Sequence, residues 1–230
     1  MLRLQEHLFA NPIWQALQTH HRRFALSAGD ACRYPADVAP FAAVAASTAS
    51  ALGQLASLLE PEDTLSVVAD RIPPATGLHI VDTIEVLQMV LPDDVRPPTD
   101  AAVGVAVLDR TNAEEMVALT SRAMPDYFRK RTHELGSYYG IRARDELIAM
   151  AGERLMIERH VEISGVCTHP DHRGFGHASG LIWQLVRRHR NRGLVSWLHV
   201  SAANQNAIAL YLRMGFKVFN KIVLQKVACG

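Results

Sequence analysis

Residues 167–180 read CTHPDHRGFGHASG, a stretch that combines three histidines with three glycines. It follows the segment HVEISGV (160–166), in which apolar and polar residues alternate as they do in a half-buried β-strand. It leads into ASGLIWQLVRRHR (178–190), where apolar residues recur at helical spacing and predict an amphipathic helix. The glycines therefore lie where a strand gives way to a helix.

This strand-to-helix turn has the properties of an anion-binding loop. The first N–H groups of a helix have no partner within the helix, and the positive end of the helix dipole lies beside them. Gly174 and Gly176 allow successive N–H groups to turn towards a phosphate without a Cβ in the way. Arg173 adds a positive charge. The turn therefore predicts an anionic ligand, with a plain glycine-rich turn as the alternative.

The distribution of charge favours the same prediction. The net charge of the 230-residue chain is only +1, but the residues after Asp171 include nine Lys and Arg and no Asp or Glu. Such an asymmetry favours an anionic ligand on the C-terminal part. A solvated basic face is the alternative interpretation.

Other ligands of glycine-rich or histidine-rich loops fit less well. Gly174, Gly176 and Gly180 give G-x-G-x-x-x-G rather than a dinucleotide fingerprint, and no acid follows to hold a ribose. The Gly-Lys-Ser/Thr of a Walker loop is absent. A zinc site would use spacings of three and five residues, but the helix entry would aim its ligands in different directions: His169, His172 and His177. We therefore expect no metal.

Two motifs resemble the signatures of the GNAT acetyltransferase superfamily. RGFGHA (173–178) is similar to the R/Q-x-x-G-x-G/A signature, and VCTHP (166–170) to the strand and proline that precede it. NQNAIALY (204–211) resembles the second signature, N-x-x-A-x-x-x-Y, and is followed by Met-Gly-Phe at 214–216. The motifs occur in the order of the family, separated by a helix and a strand. The resemblance covers about residues 100–230 and is greatest to the glycine-N-acyltransferase-like branch.

The resemblance implies an α/β (α+β) fold with a GNAT-like mixed sheet flanked by helices. The proline-rich and acidic segment PDDVRPPTD (92–100) is the best candidate boundary. We therefore predict a smaller N-terminal α/β domain over 1–95, with a helix at about 12–22, and a GNAT-like domain over 96–230. One interpretation of the N-terminal domain is a diverged half-copy of the same fold.

The resemblance also implies acetyl-CoA as co-substrate and an N-acetyltransferase that transfers the acetyl group directly to a primary amine. The pyrophosphate would lie on the N–H groups of 173–178, and the pantetheine arm beside the preceding strand. The cofactor-binding residues that it implies are Val166, Cys167, Thr168, Arg173, Gly174, Phe175, Gly176, His177, Ala178, Asn204, Ala207 and Tyr211.

Two side chains are catalytic candidates. Tyr211 matches the family position that protonates the departing thiolate, although an aromatic residue on the apolar face of a helix can also be purely structural. Glu162 is the preferred general base, acting directly or through water, because it lies on the strand before the loop. His160 shares its face, and the ordinary pKa of imidazole suits the role. Water is the third alternative.

The acceptor is expected to be a small-molecule or peptide amine, but the sequence does not name it. Side chains that could line its pocket are Arg122, Tyr127, Arg129, His133, Tyr138 and Tyr139. A non-catalytic acyl-CoA-binding or regulatory protein of the same fold is the second hypothesis. A nucleic-acid partner is disfavoured, because the arginines cluster at a helix end without interleaved surface aromatics. A homodimer is compatible with the sequence.

The remaining composition indicates a globular protein of the cytoplasm. Charged residues make up 20% and apolar residues 49% of the chain. No apolar stretch reaches the roughly 18 residues needed to span a bilayer, so no membrane association is expected. The first residues lack the features of a signal peptide. Cys32, Cys167 and Cys229 are scattered and odd in number, which implies no disulfide framework.

Overall fold

The computed structural model of the protein describes residues 6–69, 71–73, 76–98, 104–123 and 127–230. Within these ranges the strands are β1 (Leu26–Ala28), β2 (Ala31–Arg33), β3 (Phe41–Val44), β4 (Thr64–Val68), β5 (Leu78–Val90), β6 (Val105–Leu108), β7 (Tyr138–Ala143), β8 (Glu146–Ile157), β9 (His160–Thr168), β10 (Val195–Ser201) and β11 (Lys217–Cys229). The α-helices are α1 (Glu6–Ala10), α2 (Pro12–Gln18), α3 (Ala49–Ala56), α4 (Ala113–Ala123), α5 (His177–Asn191) and α6 (Gln205–Arg213). None of the helices described is long and apolar enough to cross a membrane.

The strands form one mixed sheet in the order β1-β2-β3-β4-β11-β5-β10-β9-β8-β7-β6. The pairs β6/β7, β7/β8 and β8/β9 are antiparallel, β10 runs parallel to β9, and β5 lies antiparallel between β10 and β11. Helices α2, α4 and α5 pack against β8, the third strand from one edge of this sheet. The predicted mixed sheet flanked by helices is therefore confirmed, while the half-copy interpretation of the N-terminal part stays a prediction.

The elements around the two motifs agree with the sequence pattern. Helix α5 buries Leu181, Ile182, Leu185 and Val186 of its apolar stripe, and Gly193 with a φ of 68° ends the helix. The predicted helix at 12–22 is shorter, because α2 ends at Gln18 and a 3-10 turn follows over Arg22–Phe24. Asn11 begins α2 by accepting a hydrogen bond from the Trp14 N–H at 3.2 Å.

The sheet and the core run across the predicted boundary. Strand β5 precedes the segment 92–100 but pairs with β10 and β11, which follow it. One apolar core joins Phe9 and Phe41 to Leu155 and Trp197. The phenyl ring of Phe9 meets the Trp197 ring edge-on, with 5.0 Å between centroids. The division at 95/96 stays a prediction, and residues 99 and 100 of the segment lie outside the described residues.

Candidate active site

The central feature of the site is a separation of two parallel strands. β9 and β10 pair from His160 opposite Val195 as far as Ile163 opposite Leu198. Beyond that point β9 continues to Thr168 and β10 to Ser201, and the described pairing between them ends. A cavity of about 270 Å³ lies at this separation.

A β-bulge in β9 shapes this side of the cavity. Ser164 lies opposite Gly152, and Cys167 lies opposite Met150, so β9 carries one extra residue between them. Gly165 has a φ of 61°, and a Cβ there would lie 3.3 Å from Cε1 of Tyr138. Glycine therefore suits the bulge for both conformational and steric reasons. As a result Ser164, Gly165 and Val166 all line the cavity.

The glycine loop follows the end of β9. Gly174 and Gly176 have φ values of 87° and 78°, and a Cβ on Gly174 would meet no atom within 4 Å. Gly176 begins α5 without a side-chain cap, so the first N–H groups of that helix are left for another partner. The Arg173 Nε donates to the Thr168 carbonyl at 3.3 Å, which holds this side chain beside the end of β9. The open, donor-rich loop fits a phosphate-bearing ligand.

The loop histidines are not gathered around one point. The imidazole rings of His169 and His172 lie 5.8 Å apart, and His169 Nδ1 accepts a hydrogen bond from the Asp171 N–H. In the part of the chain that the structure describes, no group of three or more His, Cys, Asp or Glu side chains could hold a metal ion.

Helix α6 and its N-cap bring three candidate residues to the cavity, Asn204, Ala207 and Tyr211. Asn204 accepts a hydrogen bond from the Ala207 N–H at 3.1 Å and thereby caps the helix. Tyr211, seven residues further along the chain, also lines the cavity, and its side chain is buried. Burial raises the pKa of the Tyr211 phenol to about 12, so the hydroxyl keeps its proton at neutral pH.

The Glu162 carboxylate accepts several hydrogen bonds from residues that line the cavity. It accepts from Arg154 Nε at 2.9 Å and Nη2 at 2.5 Å, and from the Leu155 N–H at 3.2 Å. A bulge in β8 between Glu153 and Met156 places these two neighbours opposite Glu162. Burial alone raises the pKa of the carboxyl, but the charge of Arg154 and the hydrogen bonds from His199 and Arg154 outweigh burial and hold the pKa well below its usual range.

His199 connects this carboxylate to the cavity that it lines. Its Nδ1 lies 2.7 Å from Glu162 Oε1, and its Nε2 lies 3.0 Å from the Gln88 amide nitrogen. That amide also donates to the Phe9 carbonyl, while its oxygen accepts from Asn220 at 2.8 Å. Gln88 therefore donates to Nε2, and the ring is held as the tautomer with its hydrogen on Nδ1.

The comparisons with known proteins agree with this geometry. A family model described as the acetyltransferase (GNAT) family matches residues 105–216. A solved structure from Novosphingobium aromaticivorans, described as an acetyltransferase of the GNAT family, is 31% identical and superimposes with a TM-score of 0.88. That match covers 97% of this chain and 99% of the other. The chain belongs to the GNAT acetyltransferase family.

More distant GNAT structures share the fold over nearly the whole chain. A GCN5-related N-acetyltransferase from Kribbella flavida is 19% identical, with a TM-score of 0.60, and the match covers 94% of this chain and 95% of that one. A GCN5-related N-acetyltransferase-like protein from Streptococcus suis is 14% identical, with a TM-score of 0.59 and coverage of 95% and 92%. The comparison with curated proteins found no match. The resemblance to the glycine-N-acyltransferase-like branch stays a prediction.

Within this GNAT fold, the predicted cofactor-binding residues occupy two neighbouring places. Val166, Asn204, Ala207 and Tyr211 line the cavity. The residues 173–178 form the exposed loop and the first turn of α5. Cys167 lies between them on β9 but is buried, and burial raises the pKa of its thiol to about 12. All three cysteines are free thiols.

The two predicted candidates for the base differ in their surroundings. Glu162 contacts three residues that line the cavity, Arg154, Leu155 and His199. His160 is buried outside the described cavity lining, with its ring edge-on to Phe9 at 5.2 Å between centroids. Burial lowers the pKa of His160. The role of Glu162 as base stays a prediction. Because Glu162 is not among the described lining residues, it would have to act through another group.

The acceptor-side candidates are mostly not brought together. Tyr127 lines the cavity, whereas Tyr138 and Tyr139 are buried in the core. Arg122 pairs with Glu146 at the surface, at 3.2 Å. Sequence reasoning missed most of the lining residues, among them Ile13, Phe41, Arg154 and His199. The bulge in β8 disturbs the alternation at Arg154, and no local pattern marks Ile13 or Phe41 as part of the cavity.

Proposed function

We propose that the protein is an acetyl-CoA-dependent N-acetyltransferase that transfers the acetyl group directly to a primary amine. The observation that carries the proposal is the gap between β9 and β10. It holds Tyr211 at one wall, while the strand that borders it leads directly into the donor-rich loop at Arg173. Membership in the GNAT family supports an acyl-CoA-dependent acyltransferase of this kind.

The loop and β9 would hold the co-substrate. The N–H groups of residues 173–178 suit its pyrophosphate, since they combine the start of a 15-residue helix with two glycines at positive φ. The bulged backbone at Ser164–Val166 lines the cavity and suits the pantetheine amides. When bound, acetyl-CoA supplies an activated acetyl group on sulfur.

Tyr211 is the proposed general acid. In the reaction the amine nitrogen forms a bond to the acetyl carbon, the bond from that carbon to sulfur breaks, and the electron pair remains on sulfur. Tyr211 gives its phenol proton to this thiolate. The phenol is protonated at neutral pH and can therefore donate, and solvent then reprotonates the tyrosine.

Water is the proposed acceptor of the proton that the amine loses. The Glu162 carboxylate is already saturated by Arg154, His199 and Leu155, and the second nitrogen of His199 is occupied by Gln88. Glu162 therefore acts as a positioning residue, which orients the two lining side chains Arg154 and His199. In this proposal the neutral fraction of the amine attacks, and its proton leaves to solvent in the cavity.

The test uses purified protein, acetyl-CoA and a panel of primary amines. We expect acetyl-CoA to raise the melting temperature, and free thiol to be released only when an amine is present. A rise in melting temperature without thiol release over the whole panel would support the second candidate, a non-catalytic acyl-CoA-binding protein. No thermal shift with saturating acetyl-CoA would contradict both.

A further inference from the structure

Much of the cavity wall is apolar and comes from both halves of the chain. The N-terminal part contributes Ile13 and Phe41, and the central strands contribute Leu155, Ile222 and Leu224. No Asp or Glu occurs among the described residues that line the cavity. An ammonium ion in a low-dielectric pocket needs a carboxylate beside it, so this lining disfavours an acceptor with several ammonium groups.

Among the described residues that line the cavity, Arg154 is the one whose side chain carries a permanent charge. Its Nε and Nη2 are used by Glu162, and the centre of its guanidinium lies 4.7 Å from the Phe41 ring centroid. Its Nη1 donates to none of the described residues. The side chain is 13% exposed, and the Glu162 carboxylate behind it is fully buried. The guanidinium is thus held rigidly, with one nitrogen available to a ligand.

We propose that this cavity binds an acceptor that carries an apolar side chain and a carboxylate, with Arg154 binding the carboxylate through Nη1. An α-amino acid with an apolar side chain has this chemistry. Its side chain would contact Ile13, Phe41 and Leu224, and its amine would face the Tyr211 side of the cavity. The inference rests on the proposed acetyl transfer and adds the class of the acceptor.

Rigidity makes Arg154 suitable for recognition. An arginine that is free in solution loses side-chain entropy when it binds a ligand, whereas the bidentate pair with Glu162 has already fixed this one. Hydrogen bonds from a charged donor to a carboxylate are among the stronger ones in proteins. Loss of the ligand carboxylate would therefore lower the rate with the acceptor more than loss of a methyl group would.

The test compares three amines on the wild-type protein with saturating acetyl-CoA: L-leucine, 3-methylbutylamine, which is leucine without its carboxylate, and spermidine. Rates are followed by free-thiol release and expressed per deprotonated amine, so that differences in amine pKa cancel. We expect kcat/KM for leucine to exceed that for 3-methylbutylamine at least tenfold, and that for spermidine by more. Equal or higher kcat/KM for either of the other amines would overturn the proposal.

The variant Arg154→Gln provides the matched measurement. In this variant we expect the ratio of kcat/KM between leucine and 3-methylbutylamine to fall to about one. The comparison of amines on the wild-type protein does not depend on whether the variant folds. Melting temperatures of the wild-type protein with CoA and each amine form a second readout. Leucine should raise the melting temperature and 3-methylbutylamine should not. A wild-type protein that binds acetyl-CoA but shows neither leucine turnover nor this shift would contradict the acceptor class and leave the donor assignment intact.

Discussion

His199 Nδ1 lies 2.7 Å from Glu162 Oε1, on the neighbouring strand, at the place where β9 and β10 separate. Because Glu162 also holds Arg154, one buried carboxylate fixes two side chains that line the cavity. The carboxylate stays ionised far into acid, since its pKa is held well below the usual range. Its charge is thus a permanent part of the site at any pH at which the enzyme would be assayed.

The first prediction concerns the proton that leaves the amine. If water accepts it, kcat/KM rises with pH up to the pKa of the amine, because only the neutral amine attacks. For two amines with different pKa values, the acidic limbs of kcat/KM should therefore be separated in pH by the difference between the two amine pKa values. A limb at the same pH for both amines would instead point to a titrating group on the enzyme and would contradict the role of water.

The second prediction concerns the stability that Glu162 provides. Glu162→Gln leaves the buried Arg154 guanidinium without its counter-charge, which should lower the free energy of unfolding by about 3 kcal/mol or more. Glu85→Gln is the control, because Glu85 pairs with Lys221 at 2.7 Å where both side chains are about half exposed. Such a surface pair contributes about 0–1 kcal/mol. Urea unfolding of the two variants at pH 7 checks the difference, and equal losses would contradict it.

The third prediction tests Tyr211 as the acid. Tyr211→Phe should lower kcat by about 100-fold or more, with little change in the KM for acetyl-CoA. Tyr139→Phe is the matched control, since Tyr139 is buried but lies outside the cavity lining, and it should keep its kcat. An unchanged kcat in Tyr211→Phe would remove the phenol from the acid role and leave it as a wall of the cavity.

The sequence predicts the parts of the site that are local along the chain. The turn at 173–178, the helix behind it and the cap at Asn204 each depend on a few consecutive residues, and each lies where the pattern places it. The alternation in β9 also places Glu162 and Ser164 towards the cavity side, where the structure finds Ser164 in the lining.

The parts that the sequence does not predict depend on distant residues. The ionisation of Glu162 is set by Arg154, which lies across a bulged pair of strands, and by His199, which lies on a strand that follows α5 in the chain. A bulge adds one residue to a strand and changes which side chains face the cavity, and no residue type announces it in β8. Ile13 and Phe41 reach the cavity only because the N-terminal part packs on the same core.

The fourth prediction concerns the loop as a donor site. Gly174→Ala places a Cβ in open space where the co-substrate would approach, so the KM for acetyl-CoA should rise about tenfold while kcat at saturation changes little. Gly104→Ala is the matched control, because Gly104 has a φ of 75° and also no atom within 4 Å of an added Cβ. Both variants should lose a similar amount of stability, about 1–2 kcal/mol, from the left-handed backbone. A KM that rises equally in both would contradict a role of the loop in binding.

The fifth prediction concerns the stability of the N-terminal part at low pH. His21 Nδ1 lies 2.8 Å from the Tyr34 hydroxyl, and burial, followed by the charges of His20 and Arg23, lowers the pKa of His21 to about 4. An unfolded chain protonates this imidazole below its ordinary pKa of about 6.5, whereas the folded chain does so only near 4. The stabilisation is therefore complete above about pH 6.5 and is lost as the pH falls towards 4, by up to about 3 kcal/mol.

Urea unfolding at pH 7 and pH 4.5 measures this loss of stability. The loss should be clearly smaller in His21→Gln, where the side chain can still bond to Tyr34 but does not titrate. Because burial also lowers the pKa of His160, some loss will remain in the variant, but an identical loss in both proteins would contradict the assignment to His21.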